Sequence, residues 1–150
     1  MGAVRFYHLT RDPVERALAQ LLRRALDAGL RVEVRGTDPA RLSWLDEKLW
    51  LIDDAEFLPH GLAGGAHDAR QPVLLTTAET VAADTRCVMA IDGAEVVPDE
   101  VAALDRTFLL FDGGDGPSLV RARQQWKALK AAGAEAEYWS QEDGRWGRKA

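Results

Sequence analysis

The run Val4 to Leu9, Val-Arg-Phe-Tyr-His-Leu, has the apolar and aromatic composition of a short strand. The period then changes. Leu18, Leu21, Leu22 and Ala25 recur at helical spacing, and Gly29 follows as a stop. Asp12, Pro13 and Glu15 form the start signal: a cap, a first helical position and a capping-box partner three residues on. Residues 31–36 read as a second strand. In the segment 37–50 Asp38 caps, Pro39 begins, and Leu42, Leu45 and Leu49 share a face. Residues 57–71 read as a glycine-rich loop. The runs at 72–77, 86–92 and 106–112 are short and apolar, as buried strands are. A short helix is expected at 97–105, and a long one from about 113 to 133 after a glycine-rich turn. Residues 134–140 alternate as a last strand, and the end after about 140 reads as a turn at Asp143-Gly144 and a loose tail.

Strands alternating with helices predict an α/β fold. It is a Rossmann-like three-layer sandwich, with a mainly parallel sheet and helices on both faces. A chain of 150 residues suits one domain, 1–150, with room for a core. With 47 % apolar and 29 % charged residues it is ordinary globular material. No apolar run is long enough to cross a bilayer, and the N-terminus lacks a signal-peptide pattern. The lone Cys87 lies in an apolar run and reads as a buried small hydrophobe. These features fit a cytoplasmic protein.

The formal net charge of −5 argues against duplex DNA or an anionic membrane as the main partner. The charge is uneven. From Asp92 to Pro117 there are seven acidic residues against Arg106 alone, whereas from Arg121 to Ala150 seven basic residues face four acidic ones.

Catalytic and cofactor chemistry is thin. No Gly-x-Gly-x-x-Gly follows the first strand, and no phosphate-binding loop with Gly-Lys-Ser/Thr occurs. The stretch 111–118 joins a strand to a helix, but Asp112 and Asp115 would repel a phosphate there. His60, His67 and Asp68 lack a metal-ligand spacing, and no serine stands in a nucleophile elbow. His8 reads as a packing or capping group at a strand end. A binding module without catalytic residues, metal or cofactor is therefore expected.

Two places could bind a partner. On the last helix Arg123, Lys127 and Lys130 are spaced i, i+4, i+7, with Trp126 beside Arg123 at i+3. Either the Trp packs into the core beneath a solvated basic face, or the stripe forms a pocket for an acidic peptide and its terminal carboxylate. The second place holds Trp50 and Phe57, large aromatics near a helix end that would fill the core or anchor a protein interface.

At these places the sequence resembles the chi subunit of bacterial DNA polymerase III, part of the clamp-loader assembly. Three stretches carry the likeness. They are the Phe-Tyr strand at 4–9, the stretch from Leu45 to Gly65 with Leu-Asp-x-x-Leu-Trp and Phe-x-Pro-His-x-x-Ala-Gly, and the Arg-x-x-aromatic-Lys helix at 121–133. The resemblance implies a Rossmann-like fold without nucleotide or catalysis. It implies an adaptor between the clamp loader, reached through the psi subunit, and the acidic C-terminal tail of single-stranded DNA-binding protein (SSB), which ends in Phe. Arg123 would be the main partner of the tail's carboxylates, with Trp126 and Lys127 at the family's aromatic and Lys positions. Phe57 and Trp50 fall on positions that resemble the psi surface. DNA would be met only through SSB. Gln124 and Gln125 stand where the family helix often carries cations. Two other readings remain open at this point: a nucleotide-binding enzyme using 111–118, and a direct single-strand binder using Trp126, Trp139, Trp146 and the basic end.

Overall fold

The computed structural model describes residues 3–10, 13–51, 58–142 and 145–150, without the side chains of 141, 142 and 145. The Asp12 cap, Phe57 and the Asp143-Gly144 turn lie outside the described residues.

Among the described residues eight strands form one sheet. In chain order they are β1 (Ala3–Leu9), β2 (Val32–Arg35), β3 (Gly61–Leu62), β4 (Val73–Thr76), β5 (Cys87–Ala90), β6 (Arg106–Asp112), β7 (Glu135–Glu142) and β8 (Arg145–Arg148). Their spatial order is β3-β4-β2-β5-β6-β1-β7-β8. Every neighbouring pair is parallel except β7 with β8. The helices are α1 (Val14–Asp27), α2 (Pro39–Leu51), α3 (Pro98–Ala103) and α4 (Gly116–Ala131).

The two-residue period of each strand sorts its side chains between two cores. Tyr7, Leu9, Phe108 and Leu110 pack with α1 and α2 on one face. Val4, Phe6, Leu109 and Phe111 pack with α3 and α4 on the other. This is the expected α/β sandwich with a mainly parallel sheet. Cys87 is buried in the first core, and burial pushes its thiol up to about 12, so it stays a neutral packing group.

Three local readings need correction. Pro13 sits at the cap of α1 rather than inside it. The segment 57–71, expected as a glycine-rich loop, holds among its described residues a short edge strand, β3, and a single 3-10 turn at Asp68–Arg70. The closing residues are not loose: β8 pairs antiparallel with β7, and Trp146 packs edge-on against Tyr7 with ring centroids 4.8 Å apart. Residues 149 and 150 then fold back on β7, where Tyr138 accepts from the Lys149 N–H at 2.7 Å and donates its own N–H to the Ala150 carbonyl at 3.2 Å.

Candidate functional site

Helix α4 positions the side chains that the sequence singled out. Asp115 starts it, its carboxylate accepting from the Ser118 N–H at 3.2 Å and from the Ser118 hydroxyl. Gly133 ends it at φ +88°, a backbone conformation that costs an L side chain about 1–2 kcal/mol. The Gly133 and Ala134 amides close the end by donating to the Lys130 and Leu129 carbonyls, both at 3.0 Å.

Between these ends Leu119, Ala122, Trp126 and Leu129 pack against the sheet, while Arg123, Lys127 and Lys130 stay exposed. The expected stripe of Trp among cations is therefore split. Trp126 is half-buried, edge-on to Phe6 at 5.2 Å and to Tyr138 at 6.0 Å. It is a wall between core and solvent. The Lys130 ammonium lies 5.0 Å from the Trp126 ring centroid, within cation–π range.

Beside that wall a pocket of about 330 Å3 opens between α4 and strands β1, β6 and β7. Phe6 and Phe111 form its floor, Trp126 and Leu119 its apolar sides, and Arg123 and Tyr138 its charged and polar edge. Ala150, held against β7, borders it as well. Among the described residues no carboxylate pairs with Arg123. An apolar floor with one unpaired guanidinium at its mouth fits a ligand that joins an aromatic group to a carboxylate. Lys127, expected to share the site, is exposed but does not line the pocket.

His8 and Tyr138 were not singled out as site residues. His8 shares strand parity with Val4 and Phe6, which puts it on the α4 face. That signal was available in the sequence. Its ring stacks on Phe111 with centroids 5.0 Å apart, and its Nδ1 lies 2.6 Å from the Tyr138 hydroxyl oxygen. Gly113 makes room for it, since a Cβ there would lie 1.7 Å from His8 Nε2. Tyr138 reaches this place only because β7 pairs with β1, Phe6 opposite Tyr138, a register no local pattern reveals. Burial and the nearby Arg123 charge hold His8 below the ordinary imidazole range, against an opposing pull from Asp112. Burial raises the Tyr138 phenol, and Arg123 opposes it.

The second expected surface lies elsewhere. Trp50 is 44 % exposed at the end of α2, its ring 4.1 Å from that of His60. Leu51 and Leu62 beside it in the fold are also exposed. His60 is buried, its Nδ1 2.7 Å from the Leu58 carbonyl oxygen and its Nε2 3.0 Å from that of Asp46. Asp68 instead caps the Gly64 and Gly65 amides, both at 2.9 Å, so this set does not converge. Among the described residues no three His, Cys, Asp or Glu side chains are placed to hold a metal.

The place where an open parallel sheet would hold a nucleotide, beyond the carboxyl ends of β1, β5 and β6, is a cleft of about 740 Å3. Among the described residues, Glu15, Asp92, Asp112 and Asp115 line it against Arg41 alone, and Arg41 is paired with Asp92 at 3.2 Å. The Gly114 amide is occupied by the Asp112 carboxylate at 2.8 Å. The cleft is thus unsuited to phosphate. The three Trp residues of the single-strand reading do not share a surface: Trp139 and Trp146 pack with Tyr7 on the α1 face, and Trp126 on the α4 face. No helix among the described residues is long and apolar enough to cross a membrane.

Residues 1–137 match the family described as DNA polymerase III chi subunit, HolC. No curated protein matches the chain.

Proposed function

The chain belongs to the DNA polymerase III chi subunit family, which makes it an accessory subunit of that replicase, and from this premise we propose that it is a non-catalytic adaptor. One end would hold the acidic, Phe-ended C-terminal tail of SSB, and the other would hold the clamp loader through psi. The observation that carries the first contact is the pocket itself. Its aromatic floor matches a terminal Phe, and the unpaired Arg123 at its mouth matches the terminal carboxylate. Lys130 and Lys127 extend the positive face of α4 toward the tail's acidic residues, at longer range. Trp50, with Leu51 and Leu62, supplies an exposed apolar surface for psi, and Phe57 belongs to the same stretch of sequence. No cofactor or metal takes part, DNA is met only through SSB, and the work is done in the cytoplasm.

A contact this small and this exposed binds at about micromolar strength, or roughly 8 kcal/mol, and weakens with salt. The test is a titration of wild type and Arg123→Ala with a labelled SSB-tail peptide. Arg123→Ala should bind at least about tenfold more weakly, the worth of one charge-assisted hydrogen bond. Equal binding by a folded variant would remove Arg123 from the site. For the second contact, Trp50→Glu should abolish co-purification with psi while leaving tail binding intact.

A further inference from the structure

We propose that His8 and Tyr138 form a second, proton-responsive recognition element for the carboxylate in the α4 pocket, with His8 acting as a positioning residue that aims the Tyr138 hydroxyl. This rests on the pocket being a carboxylate site, as proposed above.

The geometry sets up the choice. Tyr138 lines the pocket with Arg123, and its hydroxyl oxygen is 2.6 Å from His8 Nδ1. One proton occupies that hydrogen bond. In the neutral ring with its proton on Nε2, the Tyr138 hydroxyl must donate to Nδ1, and only oxygen lone pairs face the pocket, which a carboxylate disfavours. When the ring takes up a second proton, at Nδ1, His8 donates to the Tyr138 oxygen. The hydroxyl proton is then free to turn to a carboxylate beside Arg123. The ring is fixed for this role by its stack on Phe111 and by the absence of a side chain at Gly113.

The charged groups that bear on His8 are Arg123 from α4 and Asp112 from the end of β6, with the Tyr138 phenol facing it from β7. Burial and Arg123 oppose the imidazolium, and Asp112 favours it. A carboxylate bound at Arg123 cancels the Arg123 field and gives the Tyr138 hydroxyl an acceptor. Both effects favour the protonated ring. His8 should therefore titrate higher in the complex than in the free chain, and binding should take up a proton. By linkage, affinity is lowest above the bound-state value. It rises as pH falls through the His8 range and levels off below the free-chain value. A rise of one pKa unit corresponds to a tenfold gain, so about three- to tenfold tighter binding is expected at pH 5.5 than at pH 8. The peptide's own carboxylates titrate near pH 4 and contribute little over that range.

The experiment is isothermal titration calorimetry of the full chain with an acidic, Phe-ended peptide from pH 5.5 to 8. It is run in two buffers of different ionisation enthalpy and repeated with His8→Asn and Tyr138→Phe. NMR follows the His8 ring in wild type with and without peptide, so one arm needs no substitution. The expected results are proton uptake, a His8 titration that moves up on binding, and a pH slope lost in both variants. His8→Asn keeps a hydrogen-bonding side chain for Tyr138 but cannot titrate, so the loss of slope in this variant reports the imidazole proton. A wild-type affinity that is flat with pH, a His8 titration unmoved by peptide, or an unchanged slope in His8→Asn would overturn the inference while leaving the pocket's role standing. Absence of binding at every pH would overturn the proposed function itself.

Discussion

At the scale of residues, Arg123 and Lys127 look alike in the sequence and differ in place. Both are exposed cations one turn apart on α4, but only Arg123 borders the pocket. Lys127→Ala should therefore weaken tail binding by no more than about threefold, as a screened surface charge does, and the loss should vanish at high salt. A tenfold loss that persists in salt would mean that Lys127 touches the ligand. Trp126 has two roles, since it supports Phe6 and also walls the pocket. Trp126→Ala should lower stability by about 2–3 kcal/mol, less than for a fully buried aromatic, and should abolish binding. Urea titration and anisotropy would check the two effects separately. Helical spacing puts Arg123 and Trp126 side by side, and both border the pocket. That spacing does not separate Lys127 from them, because helical periodicity fixes a face and not the neighbour across it. The meeting of Tyr138 with His8 was not legible, because it depends on the β1–β7 register.

At the scale of elements, the short helix α3 is tied to β2 by a nearly buried ion pair. Arg35 donates to both Glu100 oxygens, at 2.9 and 2.6 Å, and to the Glu95 carbonyl at 2.9 Å. Burial pulls the Glu100 carboxyl up, but the Arg35 hydrogen bonds and charge, with the Val97 amide, outweigh it and hold Glu100 below its ordinary range. An acid depressed in the folded state lends stability above its unfolded value, about 4.3, and loses it as pH falls through the lower folded value. Wild type should therefore lose stability progressively below about pH 4.5, and Glu100→Gln should flatten part of that loss. Glu100→Ala should cost about 3–5 kcal/mol at pH 7, because Arg35 is left buried and unpaired. Chemical denaturation across pH would show both. Most elements were legible. Asp38 caps α2 through the Ala40 amide at 3.0 Å, Gly29 and Gly133 end their helices at positive φ, and the apolar runs became parallel strands. The Arg35–Glu100 tie was not legible, since its partners are 65 residues apart.

At the scale of the whole molecule, the sheet separates the two surfaces. β3 and β7 are six strands apart in the order, on the order of 30 Å at the usual strand spacing. The Trp50 patch and the Arg123 pocket are thus far enough apart for the two proposed contacts to be made at once. The outer hairpin matters to the pocket end, since β8 and residues 149–150 cover β7 and bring Ala150 to the pocket's border. Trp146→Ala should lower stability by about 2 kcal/mol through lost packing on Tyr7, and should loosen the pocket without removing its cation. The end of the chain read as a tail because Gly147 and the charges around it carry no strand pattern. Pairing with β7 overrides that composition.

The most direct measurement is fluorescence anisotropy with one acidic, Phe-ended peptide prepared as the free acid and as the C-terminal amide, at low and high salt. The pocket of Arg123 over an aromatic floor predicts micromolar binding of the acid, at least about tenfold weaker binding of the amide, and a further loss in salt. Equal binding of acid and amide, or binding of neither by the folded chain, would contradict carboxylate capture at Arg123.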